Sequence, residues 1–139
     1  MNQLIFDYLN SANRNKIIIS RSKDEDVEYL DVGKELSKGI NGIKNIKKVS
    51  FKAKDILFDL LNKSIRNYDN YGKVCAISNF GILLEDELRI DFINLINTYS
   101  KDYCLIMHWE GVVEGGNLYF LNKKKGIKFN IEKLSYIKI

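Results

Sequence analysis

Proline is absent from this chain, histidine and tryptophan occur once each, and cysteine occurs twice. Without proline the turns fall to glycine and asparagine, which punctuate the chain at Gly33, Gly39, Asn41-Gly42, Gly72, Gly81, Gly111, Gly115-Gly116 and Gly126. A lone histidine leaves a Ser/His/Asp triad one place to be built, on His108. At a strand end beside Trp109, that residue reads first as a packed or surface side chain. Zinc would need ligands that Cys75 and Cys104 are badly placed to supply, since each sits inside an apolar run without CxxC spacing. Both read as buried, reduced thiols, which suits a cytoplasmic protein. No apolar run approaches the ~18 residues needed to span a membrane, and the N-terminus lacks the basic and apolar stretches of a signal peptide. A soluble chain with no membrane partner is the expectation.

What is present is ordinary globular composition, with 45% hydrophobic and 29% charged residues in 139. That length fits a single domain over residues 1–139, able to bury a core unaided. The net charge of +4 suggests mild attraction to polyanions, although lysines occur along the whole chain.

Residues 72–100 organise the rest. An apolar run at 73–78 ends at Ser78-Asn79 and is followed by an amphipathic stretch, then by a second apolar run at 103–109. Strand, helix, strand is the unit of α/β folds with a mostly parallel sheet flanked by helices. Upstream, residues 1–10 have helical spacing, and Lys16-Ile17-Ile18-Ile19-Ser20 reads as a strand covered on both faces. The alternation over 27–32 predicts a second strand, and 33–40 a short helix closed by Asn41-Gly42. Residues 51–68 read as a helix capped by Ser50, with Ile56, Leu57, Leu60, Leu61 and Ile65 inward. The next helix is expected to begin at the acidic triplet 85–87, which would complement its dipole. The tail reads as short β pieces at 117–121, 127–129 and 136–139, after a loop at 110–116.

Chemistry is thinly signalled. The segment 21–26 (RSKDED) reads as a solvated hairpin loop, with an acidic metal site at Asp24 and Asp26 as the sharper alternative. No spacing singles out a carboxylate pair among Glu85, Asp86, Glu110 and Glu114. Trp109, Tyr119 and Phe120 read as core aromatics rather than a stacking surface. A phosphate cradle of the form GxxxxGK[ST] is missing: 21–26 holds no glycine, and Asn79-Phe80-Gly81 holds one and no lysine.

Four blocks, VEYLDVGKELS (27–37), KVCAISNFGILLEDEL (73–88), LRIDFINLINTYSKDYCLIMHWEG (88–111) and NLYF (117–120), resemble the BrxF family. These are small P-loop proteins of type 3 bacteriophage-exclusion (BREX) defence systems, and the resemblance runs over residues 27–139. It implies a glycine-rich loop and helix after the first strand, where this chain has only residues 21–26. It places the family's acidic positions on Ser78 and Gly81, and an expected arginine on Lys101, so Mg²⁺ and water would lose their ligands. The implied molecule is a degenerate P-loop NTPase-like α/β domain with a vestigial site at Ser78, Asn79 and Gly81. It would need no cofactor, would not be catalytic, and would bind other proteins of a defence complex.

Two alternatives stand beside it. One is a nucleotide binder or ATPase-like enzyme with an atypical site at Asn79, His108 and Glu110, where open α/β sheets place ligands. The other is a weak DNA-binding module using Lys44, Lys47, Lys48, Lys123, Lys124 and Lys125. The family's first two strands are parallel with two others between them. Six residues reach at most about 20 Å, little more than the ~14 Å lateral gap, and parallel crossovers need a dozen or so. The linker therefore predicts either an antiparallel hairpin of 16–20 with 27–32 or a different packing of residues 1–26.

Overall fold

Three consecutive isoleucines mark one of the interior strands of the sheet. In the computed structural model, which describes residues 3–43, 46–119 and 128–139, they form β1 (Lys16–Ser20), with Ile17 and Ile19 on one face and Ile18 on the other. β1 lies between β5 (Cys104–His108) and β9 (Ile137–Lys138), and β5 lies against β4 (Gly72–Ser78), whose far side carries β2 (Leu30–Asp31). All four pairings are parallel. β3 (Arg66–Tyr68) is the exception, running antiparallel to the start of β4. The molecule is thus α/β with a mostly parallel sheet, and β6 (Val112–Glu114), β7 (Asn117–Tyr119) and β8 (Lys128–Asn130) add a small antiparallel sheet.

The two faces are covered unequally. Ile17, Ile19, Cys75, Ile77, Leu105 and Met107 pack into the main core. That core is closed by α2 (Val32–Ile40), α3 (Ile46–Ser64) and α4 (Phe92–Asp102) through Leu36, Leu57, Leu61 and Ile96. Ile18, Val74, Ala76, Cys104 and Ile106 form the opposite face, which among the described residues meets Ile5 and Tyr8 of the seven-residue α1 (Gln3–Leu9), Val27 and some half-buried neighbours.

The hairpin alternative is overturned. β1 and β2 are separated by β5 and β4 and run parallel to them. The reason is that β2 has only two residues, paired with Ile77 and Ser78 at the very end of β4. The connection therefore lengthens to nine residues, 21–29. It crosses sideways past β5 and β4 instead of returning the length of a strand, and nine residues reach roughly 30 Å against ~14 Å. Val27, 7% exposed, anchors the crossing on the sheet's thinner side.

Other boundaries shift for local reasons. α3 starts at Ile46, so Ser50 is inside the helix and does not cap it. It stops at Ser64 because residues 66–68 pair with β4 through a turn closed by Tyr71 N–H on the Tyr68 carbonyl (3.2 Å) and by Gly72 at φ +79°. The acids of 85–87 fall at two 3-10 turns, Gly81–Leu84 and Asp86–Leu88. Arg89 at φ 51° interrupts the path, and α4 begins after Asp91, whose carboxylate accepts the Asn94 amide at 3.0 Å. The expected loop at 110–116 contains β6, turned onto β7 by Gly115 and Gly116, both at positive φ. No helix among the described residues is long and apolar enough to cross a membrane.

Candidate functional site

The carboxyl ends of β2, β4, β5 and β1 deliver one polar residue each to a common row. Asp31 is level with Ser78, Ser20 is level with His108, and the Ile77–Met107 register brings Ser78 level with His108. Residues in register on parallel strands share a face, so the row is contiguous. Beside it opens a crevice of about 510 Å³ lined by Lys23, Asp31, Ser78, Asn79, His108 and Glu110, with Gly81 at its border. The sequence-expected trio Ser78, Asn79 and Gly81 and the alternative trio Asn79, His108 and Glu110 therefore meet in one place.

Asn79 has this position because of its neighbour. Phe80 is buried, stacked between Trp109 (centroids 5.1 Å apart) and Phe92 (5.7 Å), so the chain must reverse directly after β4. Asn79 makes the reversal at φ 49°, the left-handed region that asparagine tolerates better than most residues. Its carbonyl then accepts the Gly33 amide at 2.8 Å, and its side-chain Nδ2 donates to Asp31 Oδ1 at 2.8 Å. The same Oδ1 accepts the Lys34 amide at 3.0 Å, capping α2. Gly33 is required for this closeness, since a Cβ there would stand 2.5 Å from Asn79 Nδ2.

The electrostatic consequence follows directly. A helix N-terminus beside a strand end is where a phosphate is ordinarily held. Here two of the first-turn amides of α2 are already bound by Asn79 and Asp31. The Lys34 amide, followed by the Asn79 amide, holds the Asp31 carboxyl below the usual carboxylate range, so the position carries a permanent negative charge at neutral pH. An anion entering the crevice meets the chain's own anion.

His108 is also tied. Its Nε2 lies 3.1 Å from the Arg21 carbonyl oxygen and 3.5 Å from Glu110 Oε1. Both are acceptors, so the ring donates from Nε2. Its side chain is 16% exposed against 79% for Glu110, and the ring of Tyr29 meets it edge-on with centroids 6.4 Å apart.

The remaining candidates disperse. Asp24 accepts Tyr71 Oη–H at 2.7 Å and the Asp26 amide at 2.9 Å. The Tyr71 bond is the main reason its carboxyl is held low, and that bond pins the crossing segment. No group of three or more His, Cys, Asp or Glu among the described residues could hold a metal ion. Cys75 and Cys104 are free and buried, and burial pushes their thiols up to about 11 and about 12, which leaves neither a nucleophile. Trp109 is core, as read from sequence, while Phe120 lies outside the described residues. Lys48 is exposed on α3 and Lys47 belongs to that helix, whereas Lys44, Lys123, Lys124 and Lys125 lie outside the described residues.

Sequence reasoning missed Asp31 and Gly33, the residues that bond Asn79 beside the crevice. The signal was in the D-V-G triplet, since an aspartate at a helix start is a cap pattern, but the alternation carried the strand through Val32 and started the helix at Gly33, whereas β2 ends at Asp31 and α2 begins at Val32. In comparisons with known proteins, no family model, no curated protein and no solved structure matches this chain.

Proposed function

We propose that this chain is a degenerate P-loop-like α/β domain acting as a non-catalytic, protein-binding subunit of a bacterial phage-defence complex of the BREX type. The observation that carries the non-catalytic reading is that two amides of the α2 N-terminus beside the crevice are already bonded within the chain. Asp31 and Asn79 fill the hydrogen-bonding positions at the α2 N-terminus that a phosphate would need. Two features lend support. β1 and β2 are parallel with two strands between them, the arrangement that the resemblance implies. The connection that should carry a phosphate loop and helix is nine residues without either.

Isothermal titration with ATP and Mg²⁺ tests the reading against the atypical nucleotide site at Asn79, His108 and Glu110. No binding heat is expected; micromolar binding that disappears in Asn79→Ala would overturn the proposal. The partner half is tested by affinity purification from a native host followed by mass spectrometry. Stoichiometric recovery of a protein encoded beside this one is expected, and a chain that purifies alone contradicts it.

A further inference from the structure

The excess positive charge of the chain is concentrated in two acid-free segments, residues 36–54 and 115–131. Residues 36–54 hold six of its 22 basic residues and no acid, leaving 16 basic against 18 acidic residues elsewhere. The first of these segments runs from the later half of α2 into the first half of α3. Within it Lys38 meets Glu35 at 3.7 Å. Lys48, Lys52 and Lys54 are exposed on α3 and enter no ion pair among the described residues.

Amid these lysines stands Phe51, 80% exposed, the most exposed large apolar side chain among the described residues. Positions 48, 51 and 52 are neighbours on one helix face, so the ring sits beside two cations on the solvent side. The opposite side of the helix is committed to the core through Ala53, Leu57 and Leu61. The charge order also runs against the helix: its first turn holds no acid, and Lys48 lies near the positive end of the dipole. Packing holds α3 in place despite that repulsion. A ligand with repeated negative charges and flat apolar faces would relieve the repulsion and cover the ring together.

We infer that this face of α3 binds single-stranded nucleic acid, with backbone phosphates on Lys48, Lys52 and Lys54 and a base stacked on Phe51. A duplex buries its base faces and offers Phe51 nothing. An anionic membrane calls for a helix whose whole apolar face is outward, whereas that face of α3 is in the core. This inference is independent of the proposed scaffold role.

The test is fluorescence anisotropy of a labelled oligothymidine of about 20 nucleotides with the full chain across a salt series. Binding at low salt is expected, with a slope of log K on log salt near −2, from about −0.7 for each of three phosphate contacts. Phe51→Ala should weaken it roughly tenfold with the slope retained, and thermal melting should show the variant folded. Replacing Lys48, Lys52 and Lys54 together by Gln should abolish binding. The inference is overturned by no binding at low salt, by equal affinity for Phe51→Ala, or by equal affinity for the matching duplex. It is equally overturned by binding that survives the triple Gln variant, or by capture of the chain on phosphatidylserine vesicles but not on the oligonucleotide.

Discussion

Asp31 uses one oxygen twice, accepting the Lys34 amide and the Asn79 side chain on Oδ1, and two predictions separate its roles. Asp31→Ala removes the cap and should cost about 1 kcal/mol, read from the urea midpoint. Asp31→Asn keeps a capping oxygen but loses the charge, which isolates the pH term. The folded-state carboxyl is held below its unfolded value, ~3.9 for a free aspartate. Its contribution is therefore complete above that value and is lost as pH falls through the folded one. The wild-type advantage over Asp31→Asn should be constant near neutrality and shrink below about pH 4. Curves that stay parallel into acid would show that the charge contributes nothing. Gly33 supplies a sign test. Gly→Ala inside a helix ordinarily gains up to about 1 kcal/mol, but here the new Cβ stands 2.5 Å from Asn79 Nδ2 and 3.0 Å from its backbone oxygen. Gly33→Ala should therefore lower the melting temperature, and a rise would mean that Asn79 yields freely.

At the scale of elements, what could be read from the sequence was what burial alone determines. β1, β4 and β5 are apolar runs covered on both sides, and 16–20, 73–78 and 103–109 mark them within a residue or so. What could not be read was set by distant partners. β2 is two residues long because only the end of β4 remains for it to pair with, and 66–68 leaves helical form because β4 offers a free edge. The crevice was legible at Ser78 and Asn79 but not at Asp31, whose partner lies 48 positions away. α1 shows the same dependence. Seven residues are too few to hold a helix in water alone. Tyr8 Oη ties it down, donating to the Asn15 carbonyl (3.0 Å) and accepting from Ile17 N–H (2.9 Å) and Ser135 Oγ (3.0 Å). Tyr8→Phe strands the buried Ile17 amide and should cost about 1–3 kcal/mol of unfolding free energy. An unchanged denaturation midpoint would mean that the Tyr8 hydroxyl does not hold α1.

The whole molecule is a sheet with a thick side and a thin one, and its stability should divide accordingly. On the thick side three helices close over Ile17, Ile19, Ile77 and Met107, with Leu57 fully buried among them. On the thin side the short α1 shares the cover with the crossing segment, whose buried apolar anchor is Val27. Leu57→Ala leaves a cavity that α3 is too constrained to fill, for an expected loss of about 2–5 kcal/mol. Val27→Ala removes a smaller group beside a segment free to settle, for roughly 1 kcal/mol. Hydrogen exchange distinguishes the two beyond magnitude. Because Leu57 supports the common core, its loss should speed exchange throughout β1, β4, β5 and α3, the sign of a lowered global barrier. Losing Val27 should speed exchange in 21–29 and α1 while α3 keeps its protection, since the thin layer can open without exposing the thick one. If Val27→Ala deprotects α3 as strongly as Leu57→Ala does, the two faces unfold as one unit and the crossing segment is as much a part of the core as the helices.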